Sequence, residues 1–322
     1  VHGILTIFRK EMEDQFSSTR FLLISALIVM VGVIVASMVG MAIREEVRGL
    51  PKPTLLFLLL FTATGKFFSF AQFLGFFGPL IGIILGFDSI NRERVSRTLS
   101  KLVSQPIYRD SIINAKFLSG VAIITIILVS IVLIITGLGL PLTGIVPGAE
   151  ELWRLAIYLV MSILYISFWL GISILFSVIF RSTATSALAS LAVWIFFSFF
   201  ISLGAGFVAD AIAPIGQQTA GMVDPQLVVK NAKVQEAISL FSPMTLYSEA
   251  TSTILDPMRK TTSSLILMGP LERISLSRFQ SPLPLLQSLA IVMPHMVTLV
   301  AITLLCFGVC YAVFMRQEIR TI

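Results

Sequence analysis

"FLLISALIVMVGVIVASMVGMAI", residues 21–43, is the first of six runs that contain no Asp, Glu, Lys or Arg; the others cover 67–87, 117–140, 155–180, 183–208 and 286–314. Each is close to the roughly 20 helical residues that cross about 30 Å of hydrocarbon. The pattern predicts an all-α integral membrane fold with six transmembrane helices. Ahead of the first run, "ILTIFRKEMEDQFSSTRF" sets Ile4, Phe8, Met12 and Phe16 four residues apart, with Arg9, Lys10, Glu13 and Asp14 on other faces. That period predicts an amphipathic helix lying in the cytoplasmic interface. Packing on the protein's own cytoplasmic surface would use the same apolar face.

One polar island separates the second and third runs: "GFDSINRERVSRTLSKLVSQPIYRDSIINAKFLSG", residues 86–120. Val95, Leu99, Leu102 and Val103 recur in it at helical spacing, while Arg92, Arg94, Arg97 and Lys101 occupy the remaining faces. The spacing predicts an amphipathic helix over 91–103 beneath the membrane. Pro106 stops that helix and can begin another, running from Ile107 through Arg109 and Lys116 into the third span. The loop as a whole covers 88–116.

Two other segments interrupt the apolar pattern. The run 55–61 within "REEVRGLPKPTLLFLLLFTATGK" is too short to cross. It is expected to dip into the outer leaflet, line a vestibule or extend the second span. Residues 210–285 hold Pro214, Pro225, Pro243, Pro257, Pro270, Pro282 and Pro284, and "QLVVKNAKVQEAISLF" has a helical apolar period. An external cap of short helices between spans five and six is expected, without a disulfide because the segment has no Cys.

Composition agrees with one membrane domain over 1–322. The chain is 56% hydrophobic and 12% charged, against about 25% charged in soluble domains. Its net charge of +6 therefore concerns membrane sidedness rather than nucleic acid, for which no basic run with interleaved aromatics exists. With six spans both termini share one side. That side holds Arg9, Lys10, Arg20, Arg92, Arg94, Arg97, Lys101, Arg109, Lys116, Arg181, Arg316 and Arg320, and the short loops opposite hold fewer cations. The positive-inside rule makes it the cytoplasmic side.

Candidate chemistry is sparse. His295 is the sole imidazole within the runs and no formal charge lies there, which disfavours a proton-driven carrier; a hydrogen bond to a neighbouring carbonyl is the expected role of this His. No G-x-x-x-x-G-K-[ST] loop is present, the nearest string being "TATGKFF", so the chain does not hydrolyse ATP alone. Two His without an H-E-x-x-H arrangement exclude a metalloprotease. Cys306 and Cys310, four apart on one helix face, suit packing rather than metal ligation. No catalytic or metal-binding residue is expected.

In the island, Glu93, Thr98, Leu99, Leu102, Pro106, Arg109 and Lys116 stand at intervals similar to the Glu, Thr-Leu, Leu, Pro, Arg and Lys of the loop between spans two and three in ABC-2 type transporter permeases. Arg97 replaces the usual glycine. The N-terminal "RKE", "LFSPMTLYSEA" at 240–250 and the closing "FMRQEIR" extend the resemblance over the whole chain. The resemblance implies an elbow helix at the N-terminus and a coupling helix at 91–103. Glu93, Val95, Arg97, Thr98, Leu99, Leu102, Pro106 and Arg109 would meet a separate ATP-binding subunit.

The function this implies is that of a non-catalytic permease subunit in the cell membrane, exporting substrate with two ATPase copies that carry ATP and Mg. A second copy or a related permease would complete the path, with membrane lipid around it. Phe70 and Phe73 of the second span and Ser190, Ser198 and Gly204 of the fifth are candidates to line that path. The alternatives are an ion-coupled secondary carrier and a membrane anchor or assembly factor whose external cap binds a partner.

Overall fold

The computed structural model describes residues 2–46, 55–62, 69–96, 98, 108–144, 146–214, 225–258 and 282–316, and these hold no β-strand. Helix α1 (His2–Phe16) precedes α2 (Thr19–Glu46). A 3-10 turn (Leu56–Leu58) then runs into the one-turn α3 (Leu59–Thr62). Next come α4 (Phe70–Gly86), α5 (Asn91–Val95), α6 (Arg109–Thr143) and α7 (Ala149–Ile179). Helix α8 (Thr183–Ile195) continues through a π-helical turn (Phe196–Phe200) into α9 (Ile201–Ile212). Helices α10 (Pro225–Ser239), α11 (Pro243–Leu255) and α12 (Leu285–Arg316) complete the order. Among the described residues six helical units, with α4 and α5 counted as one and α8 and α9 as another, are long and apolar enough to cross a membrane. They coincide with the six charge-free runs.

The centre of the bundle is α7, which packs against α4, α12, α6, α8 and α11. Its contact with α4 is unusually close. A Cβ placed on Gly82 would lie 2.6 Å from the Ile166 carbonyl oxygen and 2.8 Å from the Leu170 nitrogen, and one on Gly86 2.9 Å from the Ser173 Cβ. Gly78, Gly82 and Gly86 thus form a small-residue stripe at four-residue spacing that lets two backbones touch. Polar links hold the contact: Ser173 Oγ donates to the Ile83 carbonyl at 2.9 Å, and Ser177 Oγ accepts from the Ile90 and Asn91 amides.

Pro79 inside α4 cannot donate to the Gly75 carbonyl four residues back. The Tyr165 hydroxyl of α7 donates to that oxygen instead, at 2.8 Å. Tyr165→Phe therefore leaves a buried carbonyl bare and is expected to cost about 1–3 kcal/mol. Thermal unfolding of the purified variant in detergent checks this; an unchanged midpoint would mean the bond is dispensable.

The far end of the bundle, opposite the island, is organised by two charged residues at the start of α7. Glu151 accepts from the Phe57 amide at 3.0 Å and the Gly148 amide at 2.8 Å. This fixes the run 55–61 as a folded segment in which Phe57, Leu58, Leu60 and Phe61 are buried. Its α3 turn packs on α2, α4 and α11. Arg154 is fully buried: it donates to the Ile254 carbonyl, the Leu283 carbonyl and the Ser288 hydroxyl, and pairs with Glu150 at 2.8 Å.

Helices α10 and α11 are not stacked on the end of the bundle. Asn231 of α10 donates to Asp210 and to the Ala213 carbonyl, which lays α10 along α9. The chain turns at 240–242 and returns as α11, which packs among α4, α7 and α12. At the tip, Ser242 Oγ donates at 2.9 Å to the Phe197 carbonyl, midway along the fifth span. The partner carbonyl lies in the π-helical turn, where the i to i+4 bonding is broken and an extra donor can be accommodated. Tyr247 of α11 stacks on Tyr165 with centroids 4.4 Å apart and shares a 2.9 Å hydrogen bond with Ser162.

Candidate coupling site

Three stretches of sequence converge at the island end: α1, the turn 87–96 and the loop 180–182. Asn91 donates to the Ser182 carbonyl and Arg94 to the Phe180 carbonyl, so α5 is seated on the connection between α7 and α8. Arg20, at the start of α2, pairs with Asp88 and lies 5.1 Å over the Phe87 ring.

The centre of the site is Lys116 on α6, whose side chain is 2% exposed. Its ammonium is 2.8 Å from Glu11 of α1 and 2.9 Å from Glu93 of α5. Lys10 adds longer contacts of 3.3 Å to Glu11 and 3.4 Å to Glu93. Burial alone would raise the Glu11 carboxyl, but Lys116 and Lys10 outweigh it and hold Glu11 below its ordinary 4.5. A lowered carboxylate stabilises the fold above that ordinary value and loses its effect as pH falls through the folded one. The N-terminal helix, the island and the third span are therefore fastened through one buried cation at neutral pH.

The residues singled out from sequence fall in different places. Glu93 is buried at the heart of this cluster, whereas Val95 is 74% exposed at the end of α5. The Thr98 hydroxyl donates to the Glu93 carbonyl at 3.4 Å and lies 2.7 Å from that of Ser96. Arg109 opens α6. Arg97, Leu99, Leu102 and Pro106 lie outside the described residues. Helix α5 ends at Val95 and Ser96 caps it, so within the described part of the 91–103 prediction a five-residue helix is followed by a turn at Ser96, and Thr98 is again helical. Glu11 was missed, although Lys116 had been noted: in sequence Glu11 is one acid among several on an amphipathic helix, and only the fold brings it to α6.

The candidate path residues also separate. Phe70 is fully buried within the chain, 6.2 Å from Phe61, and Ser190 is buried with its hydroxyl on the Ser186 carbonyl and 3.4 Å from Ser173. Phe73 lies 4.8 Å from Phe77 with the rings tilted and is only partly covered. Ser198 lies in the π-helical turn, and Gly204 has open space where a Cβ would stand.

The family model for ABC-2 family transporter proteins matches residues 5–319, nearly the whole chain. The chain belongs to the ABC-2 transporter family. No curated protein matches it at a significant level. Membership agrees with the six apolar helices and identifies the molecule as a multi-pass membrane subunit of a transporter.

Proposed function

We propose that the chain is the permease subunit of an ATP-driven ABC-2 exporter in the cell membrane. Two copies of a separate ATPase subunit, holding ATP and Mg, dock on the island end, and a second copy or a related permease completes the path. Both termini face the cytoplasm, a reading supported by Lys10, Arg20, Arg92, Arg94, Lys116 and Arg181 all lying at that end. The observation that carries the proposal is the sharing of Lys116 by Glu11 and Glu93. A push on α5 is thereby delivered to α6 and to α1 together through side-chain contacts.

Val95 provides the test, since it is exposed on α5 and outside the ion cluster. Val95→Asp is expected to insert at normal amounts and to lower copurification with the ATPase at least tenfold, because an unpaired carboxylate buried at an interface costs several kcal/mol. Full ATPase binding and coupled transport in Val95→Asp would sink the assignment of this surface. The same residue carrying Cys should react with an impermeant thiol reagent from the cytoplasmic side only.

A further inference from the structure

We propose that the groove between spans one and five ends, on the island side, in a binding site for the phosphodiester headgroup of an anionic membrane lipid. The inference depends neither on the ATPase partner nor on the direction of transport.

It starts from one helix with two opposite faces. The glycine stripe of α4 is pressed on α7. On the other side Phe73, Phe77, Leu80, Ile84 and Phe87 recur at intervals of four, three, four and three residues, which sets them on one line. All five are partly or largely uncovered, Phe77 being 41% exposed. Helices α2 and α8 both pack on α4 yet make no more than passing contact with each other, so the line is left as the floor of a groove. In a bilayer such a floor meets acyl chains, which are as apolar as its own side chains.

The groove ends in charge. At Phe87 it reaches a cavity of about 340 Å³, whose lining also includes Arg20, Asp88, Arg92 and Thr183. That is many times the roughly 10–15 Å³ a single water needs. Arg20 and Thr183 stand in the first turns of α2 and α8, and Phe87 caps the end of α4. The cavity therefore stands where three spans leave the hydrocarbon, the depth at which lipid phosphates lie. Val95 on its rim is also part of the surface assigned above to the ATPase.

Two guanidinium groups and one carboxylate line this cavity, a surplus of one positive charge that equals the single negative charge of a phosphodiester. Arg20 is paired with Asp88 and rests over the Phe87 ring, yet its side chain is still 57% exposed. Arg92 is exposed and makes no ion pair among the described residues. Across the adjoining cavity Lys10, Glu11, Asp14, Glu93 and Lys116 are occupied with one another. A guanidinium presents paired N–H donors to phosphate oxygens, and the start of α8 adds the Thr183 hydroxyl and the positive end of a helix dipole. Buried charges elsewhere are matched inside the chain. Arg154 has Glu150, and His295, expected on a backbone carbonyl, instead has Glu249 at 3.3 Å from Nε2. Arg92 is left with donors to spare beside an apolar groove, the two halves of an anionic lipid's requirements.

The test uses the full chain in phosphatidylcholine vesicles that hold a minor share of radiolabelled phosphatidylglycerol. A photoreactive benzophenone amino acid replaces Leu80 on the groove floor or, as a control, Leu133, which is 65% exposed on α6. Labelling at position 80 is expected to exceed the phosphatidylglycerol share about fivefold, the ratio that one cation near an anionic lipid supplies. Labelling at position 133 should follow the share. Arg92→Gln should bring position 80 down to the share, whereas Arg92→Lys should keep most of the excess. Inorganic phosphate, compared with chloride at equal ionic strength, should not displace the lipid. Equal labelling by the two lipids at position 80, or an excess that survives Arg92→Gln, would overturn the site. So would displacement by inorganic phosphate, which assigns the cavity to a free anion, and chain-to-chain crosslinking at position 80, which assigns the groove to a second copy. Should the Arg92 variants fail to fold, the two lipids compared on the native side chain still decide.

Discussion

Lys116→Met is expected to uncouple the N-terminal helix and the island from the third span, with a loss of about 3–5 kcal/mol. The substitution keeps the length of the side chain and removes its charge. Glu11 and Glu93, both paired with the same ammonium, are then left facing one another with only the half-exposed Lys10 between them. Membrane insertion should survive, whereas limited proteolysis of α1 should accelerate and any coupled ATP hydrolysis should fall. The pH response should also invert. In the native protein acid weakens the cluster below the ordinary carboxylate range, because Glu11 is held low. In Lys116→Met burial dominates and a proton on Glu11 becomes favourable, so lowering the pH from 7 to 5 should restore α1 protection. Combining Lys116→Met with Glu11→Gln and Glu93→Gln should recover much of the loss. A variant with native proteolysis at pH 7 would show that the cluster contributes only charge.

Gly82→Ala is the second large effect. A single methyl group there meets backbone at 2.6 and 2.8 Å, and backbone in the middle of two packed helices cannot rotate aside. The helices must separate, at a cost of about 3 kcal/mol by analogy with other overpacked cores. Gly78→Ala should be milder, since its nearest neighbour is the movable Ile166 side chain at 3.2 Å. Gly204→Ala meets nothing within 4 Å and should be neutral or slightly stabilising through helix propensity. Unfolding midpoints of the three proteins in one detergent should follow that order. If Gly82→Ala ranks with Gly204→Ala, the α4–α7 contact can widen by a methyl group at little cost.

These two sites differ in how visible they were in the sequence. The glycine stripe was legible, because Gly78, Gly82 and Gly86 stand four apart within a span; the Phe residues beside them drew attention instead. The role of Glu11 was not legible, since nothing local pairs residue 11 with residue 116. The spans themselves were readable because length and the absence of charge suffice to specify a crossing helix. Insertion short of crossing has no such signature. Helix α11 has 13 residues, carries Glu249 and is followed by Pro257, so every local cue assigns it to an aqueous segment. What places it among the spans is distributed: Tyr247 on Ser162, Ser242 on a carbonyl freed by a π-helical turn, and Arg154 at its end. Arg154 is equally inconspicuous in sequence, because beyond Glu150 on its own helix its acceptors come from two distant stretches, at Ile254 and at Leu283 and Ser288.

The inserted helix also bears on the order in which the molecule is built. Synthesis delivers α4, α7 and α11 before α12, so the slot that receives α11 lacks one wall until the last 32-residue helix arrives. During that interval Glu249 has no histidine, and Arg154 has neither Ser288 nor the Leu283 carbonyl. Closure of the slot therefore waits on α12, which acts as the keystone of the bundle.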